Sequence, residues 1–140
     1  MEILAKEADR WLRQAEYDFK AAEWTLQGEF FAQCTFWAQQ AAAKALRGYL
    51  FLHKEDAIAT RSVADLLDRV MTYEESFKAF VGGTTSLDLY YKTARFPDAL
   101  PGGIPSEVIS SKDAIEAVKQ ASDIIEMVEM KRKEYLPDTL

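Results

Sequence analysis

The sequence predicts an all-α protein, an up-and-down four-helix bundle with one additional short helix, built as a single domain over residues 1–140. Three observations support this prediction. Apolar residues recur at steps of three and four over long stretches near both ends of the chain. Serine and glycine residues fall where helices are expected to begin and end. No stretch has a convincing strand pattern, and 140 residues that are 49% hydrophobic can fill one core.

The first predicted helix spans residues 2–27 and carries one apolar stripe. The stripe consists of Ala8, Trp11, Ala15, Phe19, Ala22 and Leu26. Most charged residues of this segment lie off the stripe, as expected for a helix with one buried face. Gly28 follows directly, and we expect it to end the helix in a left-handed conformation.

The second predicted helix spans residues 29–53 and is apolar on nearly all sides. A helix of this kind is buried at the centre of a bundle or faces a second copy of the chain in a dimer. Gly48 lies in its interior, where glycine costs about 1 kcal/mol relative to alanine. Its position therefore indicates a close crossing with another helix.

Shorter helical segments follow a connection at residues 54–60. Thr60 or Ser62 is expected to cap a third helix. The inner face of that helix is predicted to carry Val63, Leu66, Leu67 and Val70. Residues 74–80 form a short helical piece closed by two glycines, and residues 84–94 form a fourth helix.

The last predicted helix spans residues 112–135. Ser110 and Asp113 have the spacing of a capping box at its start. Its core face is expected to consist of Ala114, Ile115, Val118, Ala121, Ile125 and Val128.

The segment 94–107, "ARFPDALPGGIPSE", interrupts the helical pattern with three of the four prolines in the chain. Proline lowers the entropy cost of ordering a loop. We therefore expect an ordered loop that carries the chain from the fourth helix to the last one. Arg95 and Asp98 at its mouth are expected to face the central helix, where a pocket could accept a phosphate.

Composition excludes several classes of protein. The net charge of −6 and the pI of about 4.9 argue against non-specific DNA binding. The single cysteine, Cys34, allows no intramolecular disulfide and fits a reducing cytoplasm. No run of about 18 apolar residues is present, so we expect no membrane span and a cytoplasmic protein.

The sequence predicts no catalytic residue, no metal and no cofactor. No glycine-rich phosphate loop precedes a lysine and a hydroxyl residue. Cys34 and His53 lie about 28 Å apart along one helix, too far to act together. Arg47 and His53 are six helical steps apart, so their side chains point about 120° away from each other.

Cations, aromatic rings and amides instead favour a binding site. Tyr91 and Arg95 share a helix face, as do Lys44 and Arg47. Aromatic faces stack on bases, and arginine pairs with phosphate. The candidate ligand-binding residues are Gln40, Lys44, Arg47, Tyr91, Arg95 and Asp98. In the alternative interpretation, a tyrosine packs in the core and Arg95 caps its helix or pairs with Asp98.

Two motifs resemble those of HEPN domains. Residues 36–50, "FWAQQAAAKALRGYL", resemble the central-helix signature of that family, and "ARFPDALPGGIPSE" is similar to its A-R-Y-P-D-x-x-P loop. Residues 11–34 are similar to the first helix and turn of the family. The resemblance implies a helical bundle, commonly a homodimer, associated with a nucleotide or RNA. It also implies a minimal nucleotidyltransferase as partner, often in a toxin–antitoxin pair.

The resemblance also implies that a large branch of the family are metal-independent ribonucleases with an R-x(4–6)-H motif. The chain departs from the family pattern at several positions. Ala43 replaces a glutamate, Arg61 replaces a histidine at the start of the third helix, and Phe96 replaces the loop tyrosine. No histidine follows Arg95 to complete an R-x(4–6)-H motif. The positions that match are Gln39, Gln40, Lys44, Arg47, Arg95, Pro97 and Asp98.

The pattern of matches and departures implies a non-catalytic binding module as the first hypothesis. The alternative is a metal-independent ribonuclease toxin with an atypical site of Arg47, His53 and Tyr91 assembled across a dimer. A dimeric scaffold without a ligand is a third interpretation.

Overall fold

The computed structural model describes residues 2–55 and 60–135, and over these residues the chain is all-α without a β-strand, as the sequence predicts. Its six α-helices are α1 (Glu2–Gln27), α2 (Phe31–Leu52), α3 (Val63–Met71), α4 (Thr84–Thr93), α5 (Pro105–Val108) and α6 (Ser111–Tyr135). Two 3-10 helices, Glu75–Gly83 and Pro97–Ala99, flank α4. The short predicted helix is thus a 3-10 helix.

Helix α2 is the centre of the bundle. It packs against α1 and α6 along most of its length and against α3 and α4 on its remaining side. Most of its residues are buried by these helices of the same chain. Of the two explanations for an all-round apolar helix, the bundle centre is confirmed, and α2 needs no second copy to cover it.

The crossing of α1 and α2 is as close as Gly48 predicts. A Cβ atom placed on Gly48 would lie 3.0 Å from the Leu12 Cγ and 3.3 Å from the Ala8 carbonyl oxygen. Because both distances are near the lower limit for such contacts, the absence of a side chain at Gly48 sets how closely the two helices approach.

The end of α1 differs from the prediction by one residue. Glu29, and not Gly28, adopts the left-handed conformation, with a φ of 63°. The Phe30 N–H donates to the Thr25 carbonyl at 2.8 Å and the Glu29 N–H to Leu26 at 3.1 Å. These two bonds form a Schellman motif, which places the left-handed residue at position 29. The prediction of a left-handed Gly28 is therefore wrong.

Helix α6 begins as predicted, and its core face includes Ala114, Ala121 and Val128 as predicted, with Val118 and Ile125 half-buried against the core. The Asp113 Oδ2 accepts hydrogen bonds from the Ser110 N–H at 2.9 Å and from its hydroxyl at 3.0 Å, which confirms the capping box. Ile115, predicted as core, is 58% exposed. The buried positions are Ala114, Ala117, Ala121, Ile124 and Val128. Alanines at three of these positions let α6 pack closely on α2. The closeness of this packing, and not the size of the side chains, determines which face of α6 is buried.

Two features link α2 to the segments that follow α4. Ile109 is buried with Ala32 and Ala94 in a small second apolar cluster, which ties the proline-containing segment to α2. Cys34 is fully buried between α2 and α6, with its Sγ 4.0 Å from the Ala114 carbonyl oxygen. Burial raises the pKa of the Cys34 thiol to about 11.

Candidate functional site

A hollow of about 600 Å³ lies where α1, α2 and the start of α3 meet. Its lining consists of Trp11, Gln40, Ala43, Lys44, Arg47, Thr60, Arg61 and Leu66. It contains three of the predicted ligand-binding residues, Gln40, Lys44 and Arg47. Their spacing of four and three residues places them on one side of α2, so the helix itself brings them together.

Lys44 is held by a buried carboxylate that the sequence analysis missed. The Lys44 Nζ lies 2.6 Å from the Asp18 Oδ2, and Gln14 donates to the other carboxylate oxygen at 2.9 Å. Asp18 is only 2% exposed. The pair fixes the position of the Lys44 amine and balances its charge. Asp18 stands between Ala15 and Ala22 at steps of three and four, a spacing that could have identified it as buried.

Arg47 and Arg61 contribute positive charge that no described carboxylate balances. The Arg47 guanidinium lies 5.2 Å from the centre of the Trp11 ring and donates to the Thr60 carbonyl at 2.5 Å. Burial, and then the charge of nearby Arg61, lower the pKa of Arg47. Within residues 2–55 and 60–135, neither arginine forms an ion pair. The hollow therefore holds two like charges whose repulsion a bound anion would relieve.

The wall of the hollow at Arg61 is fixed by a buried glutamine. The Gln39 amide donates to the Arg61 carbonyl at 2.9 Å and to the Asp88 Oδ1 at 3.1 Å. Gln40 donates to the Gln39 Oε1 at 2.9 Å. The buried Gln39 amide therefore has hydrogen-bond partners, and the chain of bonds orients Gln40.

Asp88 of α4 caps the start of α3. Its carboxylate accepts from the Val63 N–H at 2.7 Å, the Ala64 N–H at 3.0 Å and the Ser62 hydroxyl at 2.8 Å. Ser62 also caps α3 by accepting from the Asp65 N–H at 3.1 Å, as predicted. No pattern in the sequence predicts the role of Asp88, because it lies about 25 residues after the groups of α3 that donate to it.

The other predicted ligand-binding residues lie at a different place. The Arg95 guanidinium is 4.5 Å from the centre of the Phe36 ring, 4.7 Å from that of Tyr91 and 4.9 Å from that of Phe96. Its Nε donates to the Tyr91 carbonyl at 2.9 Å, so Arg95 caps α4. Phe36 precedes Lys44 by about 12 Å along α2. Asp98 is exposed. Tyr91, Arg95 and Asp98 do not line the hollow.

The only histidine sits in a cluster of tyrosines at the end of α2. The His53 ring stacks on Tyr73 at 4.2 Å and lies 4.9 Å from both Tyr49 and Tyr135. Its Nε2 is buried without a hydrogen-bond partner among the described residues. The contacts of His53 and of Arg47 have no residue in common, so within one chain the two side chains do not form a site.

The His53 environment predicts a pH dependence of stability. Burial lowers the pKa of His53 from its ordinary value of 6.5, and the charge of Glu55 opposes this only in part. Between the folded and unfolded pKa values only the unfolded chain binds the proton. This contribution to the free energy of unfolding is therefore complete above about pH 6.5 and is lost as the pH falls through the folded pKa.

Urea unfolding between pH 5 and 8 measures this contribution. We expect His53→Phe, which keeps a ring against Tyr73, to have a shallower pH dependence than the wild type below pH 6.5. Carboxylates other than Glu55, whose pKa the charge of His53 helps to lower, titrate in both proteins and cancel in the comparison. Equal slopes in the two proteins would contradict the expectation.

Residues 2–55 and 60–135 hold no group of three or more histidine, cysteine, aspartate or glutamate side chains placed to bind a metal ion. The same ranges hold no helix with the length and apolarity needed to cross a membrane.

Comparisons with known proteins agree with this architecture. The family model for the HEPN domain matches residues 8–131. A crystal structure of a Thermus thermophilus protein is 33% identical, with a TM-score of 0.82, over 89% of this chain and 97% of that one. The crystal structure of an archaeal HEPN homologue is 28% identical, with a TM-score of 0.75, over 90% of this chain and 98% of that one. No curated protein matches the chain. Because the family model covers most of its length, this chain belongs to the HEPN domain family.

Proposed function

We propose that the protein is a non-catalytic HEPN module that binds a nucleotide, with the phosphates of the nucleotide in the hollow between α1, α2 and α3. The observation that carries the proposal is the pair of Arg47 and Arg61, which share one hollow without a carboxylate partner in the described ranges. Guanidinium groups offer forked donors that match phosphate oxygens.

The remaining lining residues suit the other parts of a nucleotide. Lys44 supplies N–H donors at a fixed position, although Asp18 already balances its charge. Gln40 uses its amide N–H on Gln39, so its carbonyl oxygen is directed to other donors, such as those of a ribose or a base. Trp11 adds an apolar wall. A chain with a net charge of −6 repels polyanions at long range, which favours a local site over a broad nucleic-acid surface.

Isothermal titration with ATP tests the proposal. We expect Arg47→Ala to weaken binding about 10- to 100-fold, because a hydrogen bond to a charged group contributes about 1.5–3 kcal/mol. Arg95→Ala is the matched control, since Arg95 already stacks on three aromatic rings. Binding that is lost in Arg95→Ala and kept in Arg47→Ala would move the ligand to Tyr91, Arg95 and Asp98. No binding by the wild type would contradict the proposal.

We also propose that the module forms a homodimer and partners a minimal nucleotidyltransferase in a toxin–antitoxin-type system. The support is the resemblance to HEPN members that are encoded beside such enzymes. Exposed apolar side chains at Ile104, Val108 and Ile115 are available for a protein contact. Co-purification with the co-expressed neighbouring protein tests the pairing. The ribonuclease alternative gains no support from a contact within one chain, because His53 and Arg47 lie apart.

A further inference from the structure

Two ion pairs tie α6 to the rest of the bundle one turn before its end. The Lys131 Nζ lies 3.4 Å from the Glu74 Oε1, just before the first 3-10 helix. The Arg132 Nη2 lies 3.0 Å from the Asp9 Oδ1 of α1. Hydrogen bonds from Ser76 and the nearby Lys131 lower the pKa of Glu74. Both carboxylates therefore stay ionised in mild acid, and this turn of α6 stays in place.

The last turn of α6 is held by an aromatic contact instead. Lys133 and Glu134 are exposed, and Glu134 pairs with Lys131 of the same helix at 3.3 Å. The Tyr135 ring reaches across to the end of α2, where its centre lies 4.9 Å from that of the His53 ring. The position of this turn therefore depends on how well Tyr135 and His53 pack together.

The contact encloses a histidine nitrogen that has nothing to receive its proton. His53 lies among the rings of Tyr49, Tyr73 and Tyr135, and its Nε2 is buried without a hydrogen-bond partner among the described residues. The imidazolium carries an N–H at this atom, and a buried charged donor without an acceptor is unfavourable. If the last turn of α6 leaves, water can accept that hydrogen bond. The neutral imidazole therefore favours the closed arrangement, and the imidazolium favours the open one.

The charged groups around this cluster leave that preference in place. The charge of Glu55 favours the imidazolium but offsets the effect of burial only in part. Arg69 of α3 forms an ion pair with Glu55 and balances its charge. The surrounding tyrosines are uncharged near neutral pH. The carboxylates on the other elements beside the cluster already pair with Lys131, and they are Glu74 and Glu134.

We propose that His53 and Tyr135 form a pH-dependent switch at the end of α6. While the imidazole is neutral, Tyr135 packs against it and the last turn stays helical. When His53 binds a proton, the last turn unwinds and leaves α2. Because Lys131 and Arg132 hold the preceding turn, the change is confined to residues 132–135. It is distinct from global unfolding and does not depend on nucleotide binding.

Nuclear magnetic resonance of the full chain between about pH 5 and 8 tests the switch. We expect the ¹³Cα shifts of residues 132–135 to move from helical towards coil values, with the same midpoint as the titration of the His53 imidazole. The shifts of residues 124–128 should stay helical. In His53→Phe, which keeps a ring against Tyr135 but binds no proton, residues 132–135 should stay helical throughout.

Tyr135→Ala gives a second readout, the titration of His53 itself. Without the Tyr135 ring, water reaches the imidazole, so the pKa of His53 should rise towards its ordinary value of 6.5. Tyr135→Phe is the matched control, because it keeps the ring and should leave this pKa unchanged.

Each outcome decides for or against the switch. Coil shifts that follow His53 in the wild type and are absent from His53→Phe support it. If residues 132–135 stay helical while His53 titrates, the switch is overturned, although the effect of His53 on global stability stands. An unchanged pKa of His53 in Tyr135→Ala also overturns it, because Tyr135 would then not be what covers the imidazole.

Discussion

Asp88→Ala is expected to lower the free energy of unfolding by about 3 kcal/mol. The Asp88 carboxylate accepts four hydrogen bonds, two of them from the first backbone N–H groups of α3. Such an N-cap is worth about 1 kcal/mol, and hydrogen bonds to a charged group contribute about 1.5–3 kcal/mol each. The sum is not additive, because Gln39 and Ser62 keep other partners.

Urea unfolding of the purified variant measures the loss. Asp98→Ala is the matched control, since Asp98 is exposed and accepts no described hydrogen bond, and it should change stability by less than about 0.5 kcal/mol. Asp88→Asn keeps one acceptor oxygen and should fall between the two. A loss below about 1 kcal/mol for Asp88→Ala would mean that Ser62 alone holds the start of α3.

Gly48→Leu is expected to destabilise the protein by about 2 kcal/mol, although leucine favours helices. A Cβ atom at this position already lies 3.0 Å from the Leu12 Cγ. Further carbon atoms would have to push α1 away from α2, and overpacking of this kind costs about 1–3 kcal/mol. The gain in helix propensity of about 0.8 kcal/mol does not offset this.

Thermal or urea unfolding of three variants isolates the steric effect. Gly82→Leu is the control, because a Cβ atom there meets nothing within 4 Å. Gly48→Ala should change stability by less than about 1 kcal/mol, since the alanine propensity and the tight contact act in opposite directions. If Gly48→Leu and Gly82→Leu were equally stable, the two helices would be free to move apart and the crossing would not depend on glycine.

Features that depend on neighbours in the chain could be predicted from the sequence. The capping of α6 by Ser110 and the close crossing at Gly48 follow from spacing and residue type alone. The face of α6 could not be predicted as well, because Ile115 and Ile124 are equally apolar and only the surface of α2 selects between them. The predicted left-handed residue at the end of α1 is wrong by one position. The Schellman hydrogen bonds, and not the glycine itself, determine which residue is left-handed.

The part of the candidate site that lies on a single helix could be predicted from the sequence. Gln40, Lys44 and Arg47 lie on one side of α2, and their grouping follows from helical spacing. Arg61 was visible as a departure from the family pattern, yet its place beside Arg47 requires the packing of α3 on α2. The chemistry of Arg95 predicts that it belongs with these residues, but in the structure it stacks on aromatic rings elsewhere on the bundle.

Chemical labelling of the buried Cys34 thiol can report how often the helix bundle opens. With a pKa of about 11, only about one thiol in ten thousand is ionised at pH 7, and no part of the side chain reaches water. An alkylating reagent therefore modifies the protein only when the helices packed around Cys34 separate. The labelling rate therefore measures how often the helices separate in the unaltered chain. The lifetimes of the folded state in different variants can be compared without an added dye or tag.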